Sequence, residues 1–228
     1  MAEGEETPQG PVRARLWDGP TRIVHWALVA LFVFSWVAAE NRWMDLHRLS
    51  GYAVMGLVLF RLYWGVCGSQ TARFASFVRG PKAVIAYART MATRDSVEHV
   101  GHNPVGAVSI VLILLLLVAQ VSFGLFAVDI DGLESGPLSY LVDFDTGRQF
   151  SELHETSFHG LQIVILLHVA AVIFYLVYKK QNLIHPMLSG KRMFPADPGL
   201  TFAPWWRALL GVVIAAAIAW FVSKGLRL

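Results

Sequence analysis

Five long apolar runs restrict the folds that are open to this chain. They cover residues 22–39, 47–66, 105–127, 158–178 and 205–222. A helix needs roughly 20 apolar residues to cross the hydrocarbon core of a bilayer, and each run is close to that length. Because unpaired backbone groups are costly in lipid, each run is expected to form an α-helix. The sequence therefore predicts an all-α integral membrane protein with five spans.

The composition agrees with a membrane domain and limits the chemistry available to it. Charged residues make up 15% of the 228 residues, whereas soluble domains carry about 25%. The single cysteine, Cys67, cannot form an internal disulfide or a four-cysteine cluster. No C-x-x-C-H motif is present, so any haem would be held without a covalent attachment.

Four histidines lie in or at the edge of the apolar runs: His25, His47, His154 and His168. His154 and His168 are 14 residues apart, which on a helix places them within about 40° of the same face and about 21 Å apart along the axis. One helix would then present two imidazoles in one direction, with one towards each side of the bilayer.

Depth in the bilayer predicts how these histidines pair. His47 pairs with His154 near the outer side, and His25 pairs with His168 near the inner side, although the inner pair matches less well in depth. A lone buried imidazole usually bonds to a neighbouring group, but ionisable residues inside a membrane are costly and mark functional sites. Two pairs of imidazoles would hold two bis-histidine haems, which are six-coordinate and suit electron transfer.

The other histidines fit this pattern less well. His159 is nine residues from His168 and falls on the opposite helix face, so it is expected to pack or to bond to another helix. His99, His102 and His185 are expected at the surface or at headgroup level. An alternative for His102 is that the segment 101–104 lines a site at the inner face.

Haem propionates need cations or hydrogen-bond donors at the membrane edge. Arg22 precedes His25 by three residues and shares its helix face, and Arg61 lies near the inner end of the second span. Arg48 follows His47 at the outer edge. Each of these arginines is predicted to pair with a propionate, and the alternative is that its side chain extends to lipid headgroups.

Loop charges predict the orientation of the chain. The segment 67–104 carries Arg73, Arg79, Lys82, Arg89 and Arg94, and further basic residues flank the first span and follow the fourth. The segment 128–157 has seven acidic residues and a single basic one. The positive-inside rule then places the N-terminus in the cytoplasm and the acidic segment outside.

Three parts of the chain are expected from these patterns. Residues 1–15 form a flexible cytoplasmic N-terminus, residues 16–195 form the haem-binding transmembrane domain, and residues 196–228 contribute the extra C-terminal helix. The acidic segment is either a docking surface for a basic redox partner or an ordinary solvated loop. Anionic lipid accounts for the basic residues along one membrane face, so no nucleic-acid role is expected.

The residues also resemble a known family. The motif W-D-G-P-T-R-I-V-H-W at 17–26, the run from His47 to Gly65, and G-H-N-P at 101–104 resemble the first three helices of the bacterial cytochrome b561 family. Leu153-His154-Glu155 followed by His168 resembles the fourth helix, and 182–191 resembles the segment after it. The family includes cytochrome b subunits of nickel–iron hydrogenases, and the resemblance covers residues 14–195.

The resemblance implies a four-helix bundle with two b-type haems, whose axial ligands are the four paired histidines. It implies electron transfer in the bacterial inner membrane between the quinone pool and a periplasmic c-type cytochrome, hydrogenase or other dehydrogenase. Substrate chemistry would then reside in another polypeptide. The fifth span lies outside the common core and would anchor a partner subunit or mediate homo-oligomerisation.

Two other functions are open at this point. A stand-alone superoxide:quinone oxidoreductase would need no protein partner. A haem-free membrane anchor or transporter would show no haem absorption after purification.

Overall fold

A computed structural model describes residues 10–93 and 99–227 of the chain. Helices dominate these residues, and a two-stranded sheet joins two distant segments. Short 3-10 turns occur at Gln70–Ala72 and Ser139–Leu141. The strands are β1 (Val12–Arg15) and β2 (Lys191–Phe194), and the helices are α1 (Gly19–Glu40), α2 (Met44–Cys67), α3 (Phe74–Phe77), α4 (Pro81–Thr90), α5 (Pro104–Phe126), α6 (Phe144–Val177), α7 (Ile184–Ser189) and α8 (Trp205–Ser223).

Five of these helices are long and apolar enough to cross a membrane: α1, α2, α5, α6 and α8. The predicted number of spans and the all-α membrane class are therefore confirmed. Four of the spans begin and end close to their predicted limits. The fourth begins at Phe144 instead of residue 158, because its first turns are polar and escape a search for apolar runs.

The early start of α6 reshapes the acidic segment. Asp143 caps the helix, since its Oδ1 accepts a hydrogen bond of 2.8 Å from the Thr146 backbone N–H. The 34 residues of α6 span about 51 Å, which exceeds the roughly 30 Å of hydrocarbon in a bilayer. Much of the predicted loop 128–157 is thus helical, and α6 extends beyond the hydrocarbon.

The start of α1 is fixed by a buried carboxylate. Asp18 Oδ1 accepts a hydrogen bond of 2.7 Å from the Thr21 N–H, as an N-cap does. Its second oxygen accepts one of 2.9 Å from Trp64 Nε1–H near the end of α2. Pro20 occupies the first turn, where its missing N–H costs nothing. Asp18 therefore joins the beginning of α1 to the end of α2.

The core of the bundle is a layer of aliphatic side chains between α1, α2, α5 and α6. Val54, Val58, Leu117 and Leu161 are buried there against one another. Leu161 is fully buried and lies seven residues from both His154 and His168, which places all three on nearly the same helix face. This layer separates the two ends of the bundle.

The two ends differ in charge and are named accordingly. The basic end comprises residues 10–18, 68–93, 99–103 and 178–204, and the acidic end comprises residues 41–43, 127–143 and 224–227. At the basic end, β1 pairs antiparallel with β2, with Val12 opposite Phe194. Part of the predicted flexible N-terminus is therefore a strand. The rest of that prediction, for residues 1–9, and the charges at 94–98 lie outside the described residues.

Helix α8 packs along α2 at the edge of the bundle. Its buried positions recur every four residues, at Gly211, Ala215 and Ala219, and a Cβ on Gly56 of α2 would lie 3.7 Å from Ala219. Small residues of this kind let helices approach closely in lipid. The chain after α8 reaches the acidic end, where Tyr140 donates a hydrogen bond of 2.7 Å to the Gly225 carbonyl.

We expect Gly211→Leu to destabilise the α2–α8 contact. A Cβ at this position would lie 2.5 Å from the Tyr63 ring and 3.2 Å from the Phe60 ring, and overpacking typically costs about 1–3 kcal/mol. The measurement is thermal unfolding of the detergent-purified protein followed by circular dichroism. Val212→Leu, on the exposed side of the same helix, is the matched control. Equal melting temperatures for the two variants would contradict this packing.

Candidate functional site

His47 and His154 face one another near the acidic end of the bundle. His47 lies in the first turn of α2, and His154 lies eleven residues into α6. Their ring centroids are 6.0 Å apart, and the ring planes are nearly perpendicular at 88°. The structure therefore brings together the pair that the sequence predicted for this side.

Backbone carbonyls of the other two core helices hold these rings. His47 Nδ1 is 2.9 Å from the Ser35 carbonyl of α1, and His154 Nδ1 is 2.8 Å from the Gln120 carbonyl of α5. Because a carbonyl only accepts, these contacts place the proton on each Nδ1, and each Nε2 then keeps its lone pair. The Ser35 hydroxyl also lies 3.1 Å from His47 Nδ1 and then has to direct its proton elsewhere. A protonated Nδ1 with a free Nε2 is the usual arrangement of histidines that bind a metal through Nε2.

The side chain of Gln120 also contacts the free nitrogen of His154. Its Nε2–H donates a hydrogen bond of 3.0 Å to His154 Nε2, and its Oε1 accepts one from Ser157 Oγ. A metal on His154 Nε2 requires this amide to turn away. The bond from His154 Nδ1 to the Gln120 backbone is unaffected by that rotation, so the ring keeps its orientation.

The separation of the two rings fits a single metal between them. Metal–imidazole bonds are about 2 Å long, and the nitrogen is about 1 Å from the ring centre, so two ligands on opposite sides have centroids about 6 Å apart. Among the described residues, no group of three or more His, Cys, Asp or Glu side chains could hold a bare metal ion. Two imidazoles alone suit a metal that brings its own equatorial ligands, as haem iron does.

His25 and His168 lie towards the basic end and are close enough to interact electrostatically. His25 occupies the second turn of α1, and its buried Nδ1 has no hydrogen-bond partner. The second predicted pair is therefore within electrostatic range inside the bundle, on helices α1 and α6. Its role as a ligand pair stays a prediction, as it does for His47 and His154.

His102 lies at the same end as this second pair. The sequence analysis gave a position in a site at the inner face only as the alternative for His102. Gly101 precedes it with φ at +88°, a backbone conformation that favours glycine. The His102 ring lies 4.6 Å from both the Trp17 and the Phe77 ring centroids, and its Nδ1 is buried without a partner. His102 is therefore half-buried among aromatic side chains at this end, which favours the alternative that the segment 101–104 lines a site at the inner face.

Electrostatics connect His102 to the other groups at this end. Burial lowers the pKa of His102 to about 3, and positive charges on Arg61, His168 and His25 contribute further to that lowering. These three side chains are within electrostatic range of the His102 ring. His102 is therefore a neutral imidazole beside the second histidine pair.

The arginines predicted to bind propionates have different surroundings. Arg61 is 7% exposed, its guanidinium lies 4.9 Å from the Phe74 ring centroid, and its Nη1 is buried without a partner. Arg22 donates from Nε to the Met187 carbonyl at 3.2 Å and from Nη2 to the Leu188 carbonyl. Arg22 therefore holds α7, whereas Arg61 keeps a free donor inside the bundle.

Two other side chains named from the sequence lie outside the group. His159 is exposed and contacts Gln162 at 3.1 Å and Glu155 at 4.0 Å on its own helix. These contacts of His159 are thus within α6, whereas the sequence predicts packing or a bond to another helix. Arg48 is bound by Asp45 at 2.6 Å and by Glu134, so acidic side chains already pair with its charge.

Sequence reasoning missed the residues that orient the imidazoles. Ser35 and Gln120 act through backbone carbonyls, which carry no side-chain signal. Gly124 on α5 allows the close approach of His154, since a Cβ there would lie 2.9 Å from its Cε1. As a small residue near the outer end of the third span, Gly124 was visible in the sequence as a position for close helix packing, but its contact with His154 was not.

Together the fold and these groups define a multi-pass membrane protein with paired imidazoles inside a four-helix core. A sequence model of prokaryotic cytochrome b561 matches residues 16–190, and the chain belongs to this family. It is therefore a b-type cytochrome of the membrane, a class that implies haem b and fits electron transport.

Two named relatives agree with this family. A "Probable Ni/Fe-hydrogenase B-type cytochrome subunit" of Azotobacter chroococcum mcd 1 is 22% identical over 227 residues, which cover 86% of this chain and 95% of the relative. A protein of the same name from Rhizobium leguminosarum bv. viciae is 22% identical over 213 residues, with 78% and 88% covered. No solved structure matches the chain significantly.

We expect Gly124→Ala to displace the His154 ring and to lower the haem retained by the purified protein. The added Cβ would lie 2.9 Å from His154 Cε1, which the bond to Gln120 holds in place. Gly160→Ala is the matched control on α6, where the nearest atom would be at an ordinary 3.7 Å. The haem-to-protein ratio is the measurement, and equal ratios would contradict this account of Gly124.

Proposed function

We propose that this chain is a di-haem cytochrome that carries electrons between a redox partner at its acidic end and the quinone pool. The facing pair of His47 and His154 is the observation that supports it most directly. Their centroids are 6.0 Å apart, and each Nδ1 is bound to a carbonyl. Haem iron held by two imidazoles exchanges one electron and leaves no open coordination position.

The position of the second pair supports a second haem. His25 and His168 would hold it towards the basic end, and His168 is 14 residues from His154 on α6. The two sites are then about 21 Å apart along that helix. The layer formed by Val54, Val58, Leu117 and Leu161 lies between them, and α6 would contribute one ligand to each site.

Charge at the acidic end supports a protein partner. The acidic end and the helical turns next to it, which together are residues 40–48, 127–155 and 224–227, contain nine acidic and five basic side chains. Complementary charge would speed the encounter with a basic partner, and the relatives are named as hydrogenase subunits. We infer that the partner is a periplasmic hydrogenase, another dehydrogenase or a c-type cytochrome. The positive-inside rule then puts the acidic end in the periplasm, with the protein in the inner membrane.

A superoxide:quinone oxidoreductase is the alternative, and the same charges oppose it. Superoxide is an anion, so acidic side chains around the nearer site would slow its approach. The two functions therefore predict opposite effects when acidic residues are neutralised.

We expect His47→Ala and His154→Ala to lose the same haem, and His25→Ala and His168→Ala to lose the other. Each variant should keep about one of two haems, because one imidazole is an incomplete ligand set. The measurements are the haem-to-protein ratio and a redox titration of each purified variant.

His159→Ala serves as the control, since its ring points away from the bundle, and it should keep both haems. Full haem content in all four ligand variants would contradict the assignment. A wild-type ratio of one haem or none would refute the di-haem proposal as a whole.

Neutralising Asp131 and Glu152 separates the two functions. Both side chains are exposed at the acidic side of α6 and its loop. Asp131→Asn with Glu152→Gln should slow reduction by a basic partner protein, and high salt should reduce the difference. Stopped-flow haem reduction is the measurement, with Lys82→Gln at the basic end as the control. Faster reduction by superoxide, with no effect on a protein donor, would favour the alternative.

A further inference from the structure

Buried polar atoms without a hydrogen-bond partner concentrate at the basic end. Within the described residues five such side-chain atoms occur, and four of them belong to Thr21, His25, Arg61 and His102. Thr21 lies one helical turn before His25 on the same face of α1, and Arg61 and His25 both interact electrostatically with His102. Buried polar groups are normally satisfied, so this concentration indicates a bound polar group.

The chemistry of that group follows from the charge of Arg61. It interacts electrostatically with Asp18, whose two oxygens already accept hydrogen bonds from the Thr21 N–H and from Trp64. No ion pair to Arg61 occurs in the described part of the chain. A buried cation without a paired anion is costly. The group that binds Arg61 is therefore expected to be an anion.

We propose that Thr21, Arg61 and His102 form a carboxylate-binding cradle for one propionate of the haem held by His25 and His168. The inference rests on the proposed function, and it adds Thr21 and His102 to the predicted role of Arg61. A guanidinium binds a carboxylate with two parallel hydrogen bonds. The threonine hydroxyl and a neutral imidazole N–H can each donate one more.

The setting of His102 agrees with this role. Its ring is held between Trp17 and Phe77, which fixes the direction of its Nδ1. The charge of Arg61 acts on this ring, and a carboxylate bound between the two side chains would offset that charge. The positive charge of Arg61 would in turn balance the negative charge of the propionate. This balance would stabilise the reduced haem, because reduction removes one positive charge from the iron and a negative charge nearby opposes that change.

The test uses the full-length protein with Arg61→Gln, His102→Phe and Thr21→Val, which remove one polar group each and keep most of the volume. Resonance Raman spectra report the propionate bending band, and redox titration reports both midpoint potentials. We expect each variant to keep two haems, to shift the propionate band, and to lower the potential of one haem. Titration in the His154→Ala background assigns that haem to the basic end.

Two further variants keep the result interpretable. Arg61→Lys retains the charge and should restore most of the potential, although a lysine cannot reproduce the bidentate contact. Arg207→Gln removes a cation at the same end that contacts the Cys67 carbonyl and the Trp206 ring, and it should leave both readouts unchanged. If Arg61→Gln does not assemble, Arg61→Lys and Thr21→Val decide the question by the same measurements.

The outcomes separate this inference from the proposed function. Two bound haems with an unchanged propionate band and unchanged potentials in all three variants would overturn the cradle alone. A shift confined to the haem at the acidic end would overturn it as well. Loss of haem binding in wild type would instead refute the di-haem function on which the cradle depends.

Discussion

Hydrogen bonds from two imidazoles to the backbone of neighbouring helices are the interactions on which the central site depends. The Ser35 carbonyl of α1 holds the ring of His47 on α2, and the Gln120 carbonyl of α5 holds His154 on α6. Both bonds require close packing within the pairs α1–α2 and α5–α6, which are the most extensively packed helix pairs of the bundle. Gly124 permits that approach beside His154. Helix packing thus determines the tautomer of each ring, and with it the nitrogen available to a metal.

The sequence was informative where a single helix carries the signal. The spacing of His154 and His168 predicted a shared face, because helical periodicity alone relates their directions. The family resemblance and the spans were confirmed for the same reason, since each motif lies within one element. The polar start of α6 and the strand Val12–Arg15 were not predicted. Capping by Asp143 allows α6 to begin in a polar segment, and the strand Val12–Arg15 forms by pairing with a segment about 180 residues away.

His102 shows why the rest could not be predicted. It follows a glycine in a polar segment outside the apolar runs, which is the usual pattern of a surface residue. Its burial depends on Trp17 and Phe77, which approach from two other segments. Arg61 illustrates the same limit, because its charge was visible in the sequence, while the occupation of both Asp18 oxygens by other donors was not. Partners distant in sequence decide the chemistry in both cases.

The fifth long helix, α8, runs between the two ends of the molecule and packs against α2 along its length. Its small residues pack against α2 from Tyr63 to Gly56, and the chain beyond it contacts the acidic-end loop through Tyr140. The Tyr140 hydroxyl donates to the Gly225 carbonyl, and Arg227 lies 4.0 Å from the ring centroid. Because α8 packs along α2 and α2 carries His47, the loop is linked to the helix of this imidazole through α8. A partner that docks on the loop would therefore meet a surface whose distance from His47 is set by α2 and α8, and not by the flexibility of the loop itself.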